Sequence, residues 1–392
     1  MAVKIVRQPN KIVLLGSPTS AAAMSAGHEG APAALRNAGL IDRLRSIGYE
    51  VEDFGDDPVQ ISKPDEESPR ARNVSGVLAA INALKPRVEQ AVKAGALPLI
   101  LSGDSSVALA TVAAVRRYFR NVGLIYVDRD VTLNTPANTP SGSLDGMVVS
   151  HISGRGAAEL VRFWSEPPLL RDPDVALFGF ARLDPAEQES LQRSTLRSYP
   201  AADVRKKGAA EIARVVAERI HGNKNEIVLH FDVDAIDGFS ATNLPGEGGL
   251  RFEEVRDALQ VFGSHPHLGA MEVTGYNPMK DPDGSGAKLV VDLLETVLAK
   301  RLDALKSAAE AVGAKPGTPG QEEAAEEAPA PATAPAVAPQ ETGVADNAAP
   351  AGENSPSDEE VTLAASAPSE ALNEGPSEES AEKSGEPDES HS

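Results

Sequence analysis

Through residues 1–310, short runs of consecutive apolar, often β-branched residues alternate with longer stretches of helical periodicity. Consecutive apolar runs are typical of strands that are buried on both faces of a parallel sheet. They predict strands at 11–15, 49–54, 97–102, 122–128, 174–179, 196–199, 226–232 and 268–273. The helical pattern is clearest at 73–94, 105–118, 205–220 and 285–306. We therefore expect an α/β fold: three αβα layers around a mostly parallel sheet of about eight strands.

The composition changes near residue 310, which predicts two parts. Residues 1–310 are expected to form one α/β domain, and residues 311–392 a disordered tail rich in Pro, Ala and Glu. That tail carries 18 Asp and Glu against 2 Lys, or −16 of the net charge of −21 of the chain. The remainder is only mildly acidic, so we expect no nucleic-acid surface there. A partner of the tail is not evident from the sequence.

The absence of cysteine excludes disulfides, zinc–thiolate sites and thiol nucleophiles. The stretch MAVKIVRQPNKIVLLG contains an apolar run too short for a signal-peptide core or a membrane span. The sequence therefore predicts a cytoplasmic protein without a membrane partner.

Polar residues follow four of the predicted strands. They read LSGDSS at 101–106, VDRDVTLN at 127–134, HFDVDAID at 230–237 and MEVTGYNP at 271–278. Ligands of parallel sheets bind where such strand ends converge. Alternation places Asp128 with Asp130, and Asp232 with Asp234, on one face of the extended chain. Either these residues cap turns, or they surround a hard cation such as Mn²⁺, Mg²⁺ or Ca²⁺.

These segments resemble the arginase/agmatinase (ureohydrolase) family over nearly all of residues 10–306. The family motifs G-G-D-H-S, D-A-H-x-D with N-T-P, S-G-N-L-H-G, S-F-D-V-D-x-x-D-P and M-E-x-N-P occur in the same order and strand context. Here they read S-G-D-S-S, D-R-D-V-T-L-N-T-P, S-G-S-L-D-G, H-F-D-V-D-A-I-D-G and M-E-V-T-G-Y-N-P. The resemblance is closest to arginase in the loop after the second motif, and it implies the arginase-like fold.

The resemblance implies a metal site that has lost ligands. In the family, two manganese ions bridged by hydroxide attack a guanidinium carbon, and two His with four Asp hold them. Asp128, Asp232 and Asp234 match three of the Asp ligands. Ser105 and Asp130 stand at the two His positions, and Thr132 at that of the fourth Asp. We therefore do not expect a full two-manganese centre. At most one ion is expected, either Mn²⁺ or, in its place, Mg²⁺ or Ca²⁺.

The substrate positions match better. The family residues that recognise the α-carboxylate correspond to Asn134, Thr139 and Ser141, and the Asp that binds the α-amino group corresponds to Asp184. The Glu that pairs with the guanidinium corresponds to Glu272, since a planar guanidinium favours a forked carboxylate partner. The resemblance therefore implies a guanidino or amino-acid ligand.

Three residues leave alternatives open. Asp145 stands at the position of the catalytic His, but an exposed carboxylate with an ordinary pKa is poorly suited to proton transfer at neutral pH. His230, with Arg129, could supply positive charge in place of a metal. Alternatively, a neutral His230 is a ligand of a remaining metal, or it is a hydrogen-bonded core histidine.

Three functions follow from the resemblance. The first is a homologue with impaired or lost dinuclear-metal hydrolysis that binds arginine or a relative, as a sensor or regulatory subunit. The second is an active hydrolase of C–N bonds in linear amidines that releases urea with one metal or a rebuilt site. The third is a structural subunit of an oligomer. Ureohydrolases usually form trimers or hexamers, so a homo-oligomer is expected.

Overall fold

The computed structural model describes residues 5–164, 166–222 and 226–311, and it contains eight strands in one sheet. The strands are β1 (Lys11–Ser17), β2 (Glu50–Asp56), β3 (Leu97–Ser102), β4 (Val122–Val127), β5 (Val175–Phe178), β6 (Arg197–Tyr199), β7 (Glu226–Asp232) and β8 (Leu268–Thr274). Each lies within two residues of its predicted position. The predicted tail at 311–392 lies outside the described residues except for residue 311, at which the last helix ends.

Eleven α-helices occur among the described residues. They are α1 (Ala31–Asn37), α2 (Leu40–Ser46), α3 (Val74–Lys93), α4 (Ala108–Arg116), α5 (Val148–Ile152), α6 (Ala158–Val161), α7 (Pro185–Arg193), α8 (Ala201–Lys207), α9 (Ala209–His221), α10 (Phe252–Gly263) and α11 (Ser285–Ala311). None of these described helices combines the length and apolarity that crossing a membrane requires.

One predicted helix is divided in two. The prediction of a continuous helix at 205–220 is wrong, because α8 ends and α9 begins at Gly208. Gly208 has a φ of 92°, outside the helical region, and glycine adopts such an angle without steric cost. The apolar periodicity continues across the break, and so it did not reveal the change of direction.

The sheet is entirely parallel, in the order β2-β1-β3-β8-β7-β4-β5-β6. One hydrophobic cluster packs α1, α2 and α8–α11 against one face, and a second packs α3–α6 against the other. Central strands are therefore apolar on both sides, which explains their continuous apolar runs. The predicted αβα layers are confirmed. All polar strand ends noted in the sequence lie at one edge of this sheet.

Candidate functional site

A cavity of about 500 Å³ lies at the carboxyl ends of the central strands. Ten of the residues singled out in the sequence line it: Ser105, Asp128, Asp130, Thr132, Asn134, Ser141, Asp145, Asp184, Asp232 and Asp234. Thr139, His230 and Glu272 are not among the lining residues. The volume is that of a site for a small molecule.

Carboxylates converge at the floor of this cavity. Single oxygen atoms of Asp128, Asp130 and Asp234 lie within 4.8 Å of one another, and so do donor atoms of Asp128, His230 and Asp232. Burial, followed by the charges of neighbouring aspartates, raises the pKa of Asp128 and Asp234 well above the ordinary value. The floor therefore favours a proton or a cation among these groups.

Two arginines supply positive charge to this floor. Arg182 lies beside Asp130 through an isolated β-bridge, and its Nε and Nη2 donate to the two oxygens of that carboxylate. Nη2 of Arg129 donates to Asp234 Oδ2 at 3.2 Å and to the carbonyl of Leu244. Burial still raises the pKa of Asp130, although Arg182 opposes the rise. No sequence motif indicated a role for Arg182.

Hydroxyl groups surround the carboxylate of Asp232. Asp232 Oδ2 accepts hydrogen bonds from Ser105 Oγ at 3.2 Å and from Thr274 Oγ1 at 2.9 Å, and Oδ1 accepts from the amide of Asp234 at 2.9 Å. Gly275, with a φ of 81°, lies so near that a Cβ there would be 2.1 Å from Asp232 Oδ1. Glycine is needed here because any side chain would displace this carboxylate.

His230 and Glu272 form a pair behind the floor. They are neighbours in the β7–β8 register, both have no exposed surface, and His230 Nδ1 lies 2.8 Å from Glu272 Oε2. His230 Nε2 lies 3.3 Å from Thr274 Oγ1, and its ring stacks on Tyr126 at 4.2 Å. These contacts are what a hydrogen-bonded core histidine makes, so this interpretation has the most support.

Asp145 differs from its expected environment. It is only partly exposed, and Oδ1 accepts a hydrogen bond of 2.9 Å from the amide of Ser105. Burial and the charges of Asp104 and Asp232 raise its pKa to about 8. A carboxyl group with this pKa is well placed for proton transfer near neutral pH, contrary to the expectation from sequence.

The loop after β4 uses two hydroxyls for its own structure. Thr132 Oγ1 accepts a hydrogen bond from the amide of Val149 at 3.2 Å, and Thr132 itself has a φ of 49°. Thr139 Oγ1 accepts from the amides of Ser141 and Gly142 at 3.3 and 3.0 Å. Positive φ is unfavourable for a β-branched residue, so surrounding contacts hold Thr132 in place.

Asn134 and Asp184 join this loop to α7. Asn134 Nδ2 donates to Asp184 Oδ2 at 2.8 Å, while Asp184 Oδ1 accepts from the amides of Ala186 and Glu187 at 2.8 and 2.9 Å. Asp184 is thus the N-cap of α7, with Glu187 completing a capping box. Asn134 Oδ1 is buried without a hydrogen-bond partner among the described residues. Asn134 also lines the cavity, so this acceptor lies next to the space that a ligand would fill.

Two further wall residues were not identified from sequence. Burial, followed by the charge of Asp184 among other contacts, raises the pKa of Glu187 to about 7. The D-x-x-E spacing after Leu183, with Pro185 between, is a capping-box signal that could have located it. His28 is buried in the wall, and its Nε2 accepts from the amide of Asn243 at 3.3 Å. None of the sequence patterns noted above includes His28.

The arrangement of these groups around a parallel sheet matches a known family. The family model described as "Arginase family" matches residues 10–299 of this chain. The chain belongs to the arginase family. The arginase of Bacillus subtilis is 29% identical over 295 residues, covering 74% of this chain and 98% of that protein. The arginase of Brevibacillus brevis is 28% identical over 291 residues, with the same coverage of 74% and 98%.

A solved structure extends the match to the fold. The arginase of Bacillus caldovelox superposes with a TM-score of 0.69 and 27% identity, covering 74% of this chain and 98% of that one. Members of the arginase family usually bind Mn²⁺. The two clusters of donor atoms described above, Asp128 with Asp130 and Asp234, and Asp128 with His230 and Asp232, are candidate positions for an ion. The arginase-family membership predicted from the sequence motifs is confirmed.

Proposed function

We propose that this chain binds an amino acid or a guanidino compound in the cavity, without the dinuclear-metal hydrolysis of active arginases. The observation that carries the proposal is the buried Asn134 Oδ1, an acceptor without a partner among the described residues. It lies in the wall beside Ser141 and Asp184, the positions at which the family recognises the amino-acid end of its substrate. A rotation of the Asn134 side chain toward the cavity would let a ligand ammonium group supply the missing donor.

The donor set does not fit two manganese ions. Ser105 and Thr132 offer hydroxyls where the family has an imidazole and a carboxylate, and these hydroxyls already bond to Asp232 and to the amide of Val149. Both oxygens of Asp130 accept from Arg182. Two-metal hydrolysis depends on holding both ions around a hydroxide, so we expect no such reaction here.

The position of Glu272 affects the choice of ligand. Its Oε2 is bonded to His230, and the residue has no exposed surface. Pairing with a ligand guanidinium would require Glu272 to separate from His230. Recognition therefore rests mainly on the amino-acid end, and compounds with an amine or a guanidinium at the other end are both candidates.

Calorimetric titration with L-arginine, L-ornithine and agmatine tests this proposal. Agmatine lacks the α-carboxylate, so we expect it to bind more weakly than L-arginine. Asn134→Ala should weaken L-arginine binding about tenfold, the effect of losing one hydrogen bond of about 1.4 kcal/mol. Arg155→Met, which removes an exposed ion pair with Asp172, is the matched control. Absence of binding by all three compounds would favour the structural-subunit function instead.

One observation favours the alternative of an active hydrolase. Asp145 lines the cavity at the position of the family's catalytic His and accepts from the amide of Ser105, and burial raises the pKa of its carboxyl to about 8. An enzyme of this kind would hold one metal and release urea from a linear amidine. Urea formation from L-arginine that stops on addition of a chelator would replace our proposal with this alternative.

The assembly expected for this family is a trimer or a hexamer, and we extend that expectation to this chain. Light scattering after size exclusion measures the mass directly. A monomer at micromolar concentration would contradict this extension without affecting the ligand proposal.

A further inference from the structure

The metal-site carboxylates contact two guanidinium groups of the chain itself. We propose that Arg129 and Arg182 act as internal cations that hold this site together, and that Arg129 excludes a divalent ion from Asp234. Both arginines contact carboxylates of the cavity in which the proposed function places the ligand, and the inference rests on that proposal only in this respect. Metal titration tests it separately from ligand titration.

Arg129 is deeply buried at the floor of the cavity. Its surface is 3% exposed, Nη2 reaches Asp234 Oδ2 at 3.2 Å, and the same nitrogen donates to the carbonyl of Leu244. The guanidinium remains charged at all ordinary pH values. It therefore supplies a permanent positive charge, which in a metal-bound site would come from the ion.

The surrounding backbone leaves space for this guanidinium. A Cβ at Gly246 would lie 1.9 Å from Arg129 Nη1 and 2.9 Å from Cζ. The carbonyl of Arg129 also accepts hydrogen bonds from the amides of Ala181 and Arg182, at 2.9 and 3.0 Å. Both the side chain and the backbone of Arg129 are thus fixed by neighbouring segments. Gly246 therefore accommodates the guanidinium in this placement, where a larger residue would require it to shift.

Arg182 neutralises the neighbouring carboxylate. Its forked contact uses both oxygens of Asp130, which also lies within 4.8 Å of Asp128 and Asp234 in the candidate donor group. A cation in that group would have to compete with Arg182 for Asp130 and with Arg129 for Asp234. Two of its three carboxylates are therefore already engaged by positive charge.

The second candidate donor group, made of Asp128, His230 and Asp232, also has partners within the chain. Asp232 accepts from Ser105 and Thr274, and His230 lies within hydrogen-bond distance of Glu272 and Thr274. Asp128 accepts from the amide of Asp130 at 2.8 Å. Each member thus has a partner within the chain, and the site has the contacts to assemble without a metal.

The test uses the full-length protein, treated with a chelator and desalted, and then titrated with Mn²⁺ alone. Bound manganese is measured by elemental mass spectrometry, and stability by the melting temperature with and without Mn²⁺. For the wild type we expect no retained manganese and no change in melting temperature. Arg129→Met should retain about one manganese per chain and melt higher with Mn²⁺ than without, because only the folded state holds the ion. Arg129→Lys, which keeps the charge, should behave as the wild type.

A second variant distinguishes the effect of the lost positive charge of Arg129 from the effect of its lost packing. Arg129→Met is compared with Arg129→Met/Asp234→Asn, in which the pair is neutral. If the single variant does not fold without metal, the double variant should recover folding; failure of both would overturn the charge-balancing role. Manganese retained by the wild type, or no manganese retained by a folded Arg129→Met, would also overturn it. Arg155→Met again serves as control, and L-arginine binding is measured in the same samples so that the two proposals can fail independently.

Discussion

A buried histidine outside the cavity makes the stability of this protein sensitive to acid. His151 is 2% exposed, its Nε2 has no partner among the described residues, and burial lowers its pKa to about 3. The unfolded chain binds a proton below about pH 6.5, whereas the folded chain does not. His151 therefore contributes stability that is present above pH 6.5 and is lost as the pH falls toward 3.

We predict that His151→Gln weakens this pH dependence. Between pH 7 and pH 5 the wild type should lose about 2 kcal/mol of unfolding free energy through His151, and the variant should not. Urea denaturation at the two pH values measures the difference. An equal loss in both proteins would show that His151 is accessible to protons in the folded state.

Individual site residues were predictable where strand geometry determines them. Asp128, Asp232 and Asp234 line the cavity because parallel strand ends converge. Arg182 was not predictable, since its contact with Asp130 depends on two loops lying side by side. The burial of Glu272 depends on the β7–β8 register that places it opposite His230. Neither the loop contact nor the register can be read from spacing along one chain.

At the scale of elements, Asp184 has two separable roles. It caps α7 through two amide contacts, and it accepts from Asn134 in the cavity wall. We predict that Asp184→Ala lowers the unfolding free energy by about 1 kcal/mol through loss of the cap. Asp184→Asn, which keeps an accepting oxygen, should lose less stability but still weaken L-arginine binding. Denaturant titration and calorimetry together measure these effects, and equal stability losses would contradict the capping role.

A second element contact joins α11 to the end of α10. Arg301 is buried, and Nη1 donates to the carbonyls of Gly263 and His265 at 2.9 and 2.8 Å. We predict that Arg301→Met lowers the unfolding free energy by about 2–3 kcal/mol, because two carbonyls lose their donor. The exposed neighbour Lys300, changed to Met, is the control and should have little effect. A comparable loss in both variants would point to altered helix propensity instead.

Elements were more predictable than their connections. Apolar runs located the central strands, because burial on both faces leaves few polar positions in them, whereas the edge strands β2 and β6 are largely polar and less buried. The break at Gly208 was missed because apolar periodicity reports which face is buried and not the direction of the helix axis. The cap at Asp184 is visible in the sequence as D-x-x-E, whereas the family resemblance assigns this residue only a binding role.

At the scale of the whole molecule, the fold class follows from alternating patterns, but the strand order does not. Strands β3 and β8 are neighbours although they are far apart in sequence, and this adjacency brings Thr274 and Gly275 beside Ser105 and Asp232. Alternation of strands and helices is compatible with many such orders. The polar residues at the strand ends therefore predicted which strands contribute to the site, and the family motifs assigned roles to those residues.

The two hydrophobic clusters lead to a prediction about truncation. Their buried members all lie between Ile12 and Leu302, and the family match ends at residue 299. Residues 312–392 are rich in Pro, Ala and Glu without an aromatic, so they offer little apolar surface to bury. We predict that a chain ending at residue 311 has the melting temperature of the full chain at moderate salt and the same affinity for L-arginine. A lower melting temperature that is restored by salt would instead indicate that the charge of residues 312–392 affects the folded domain.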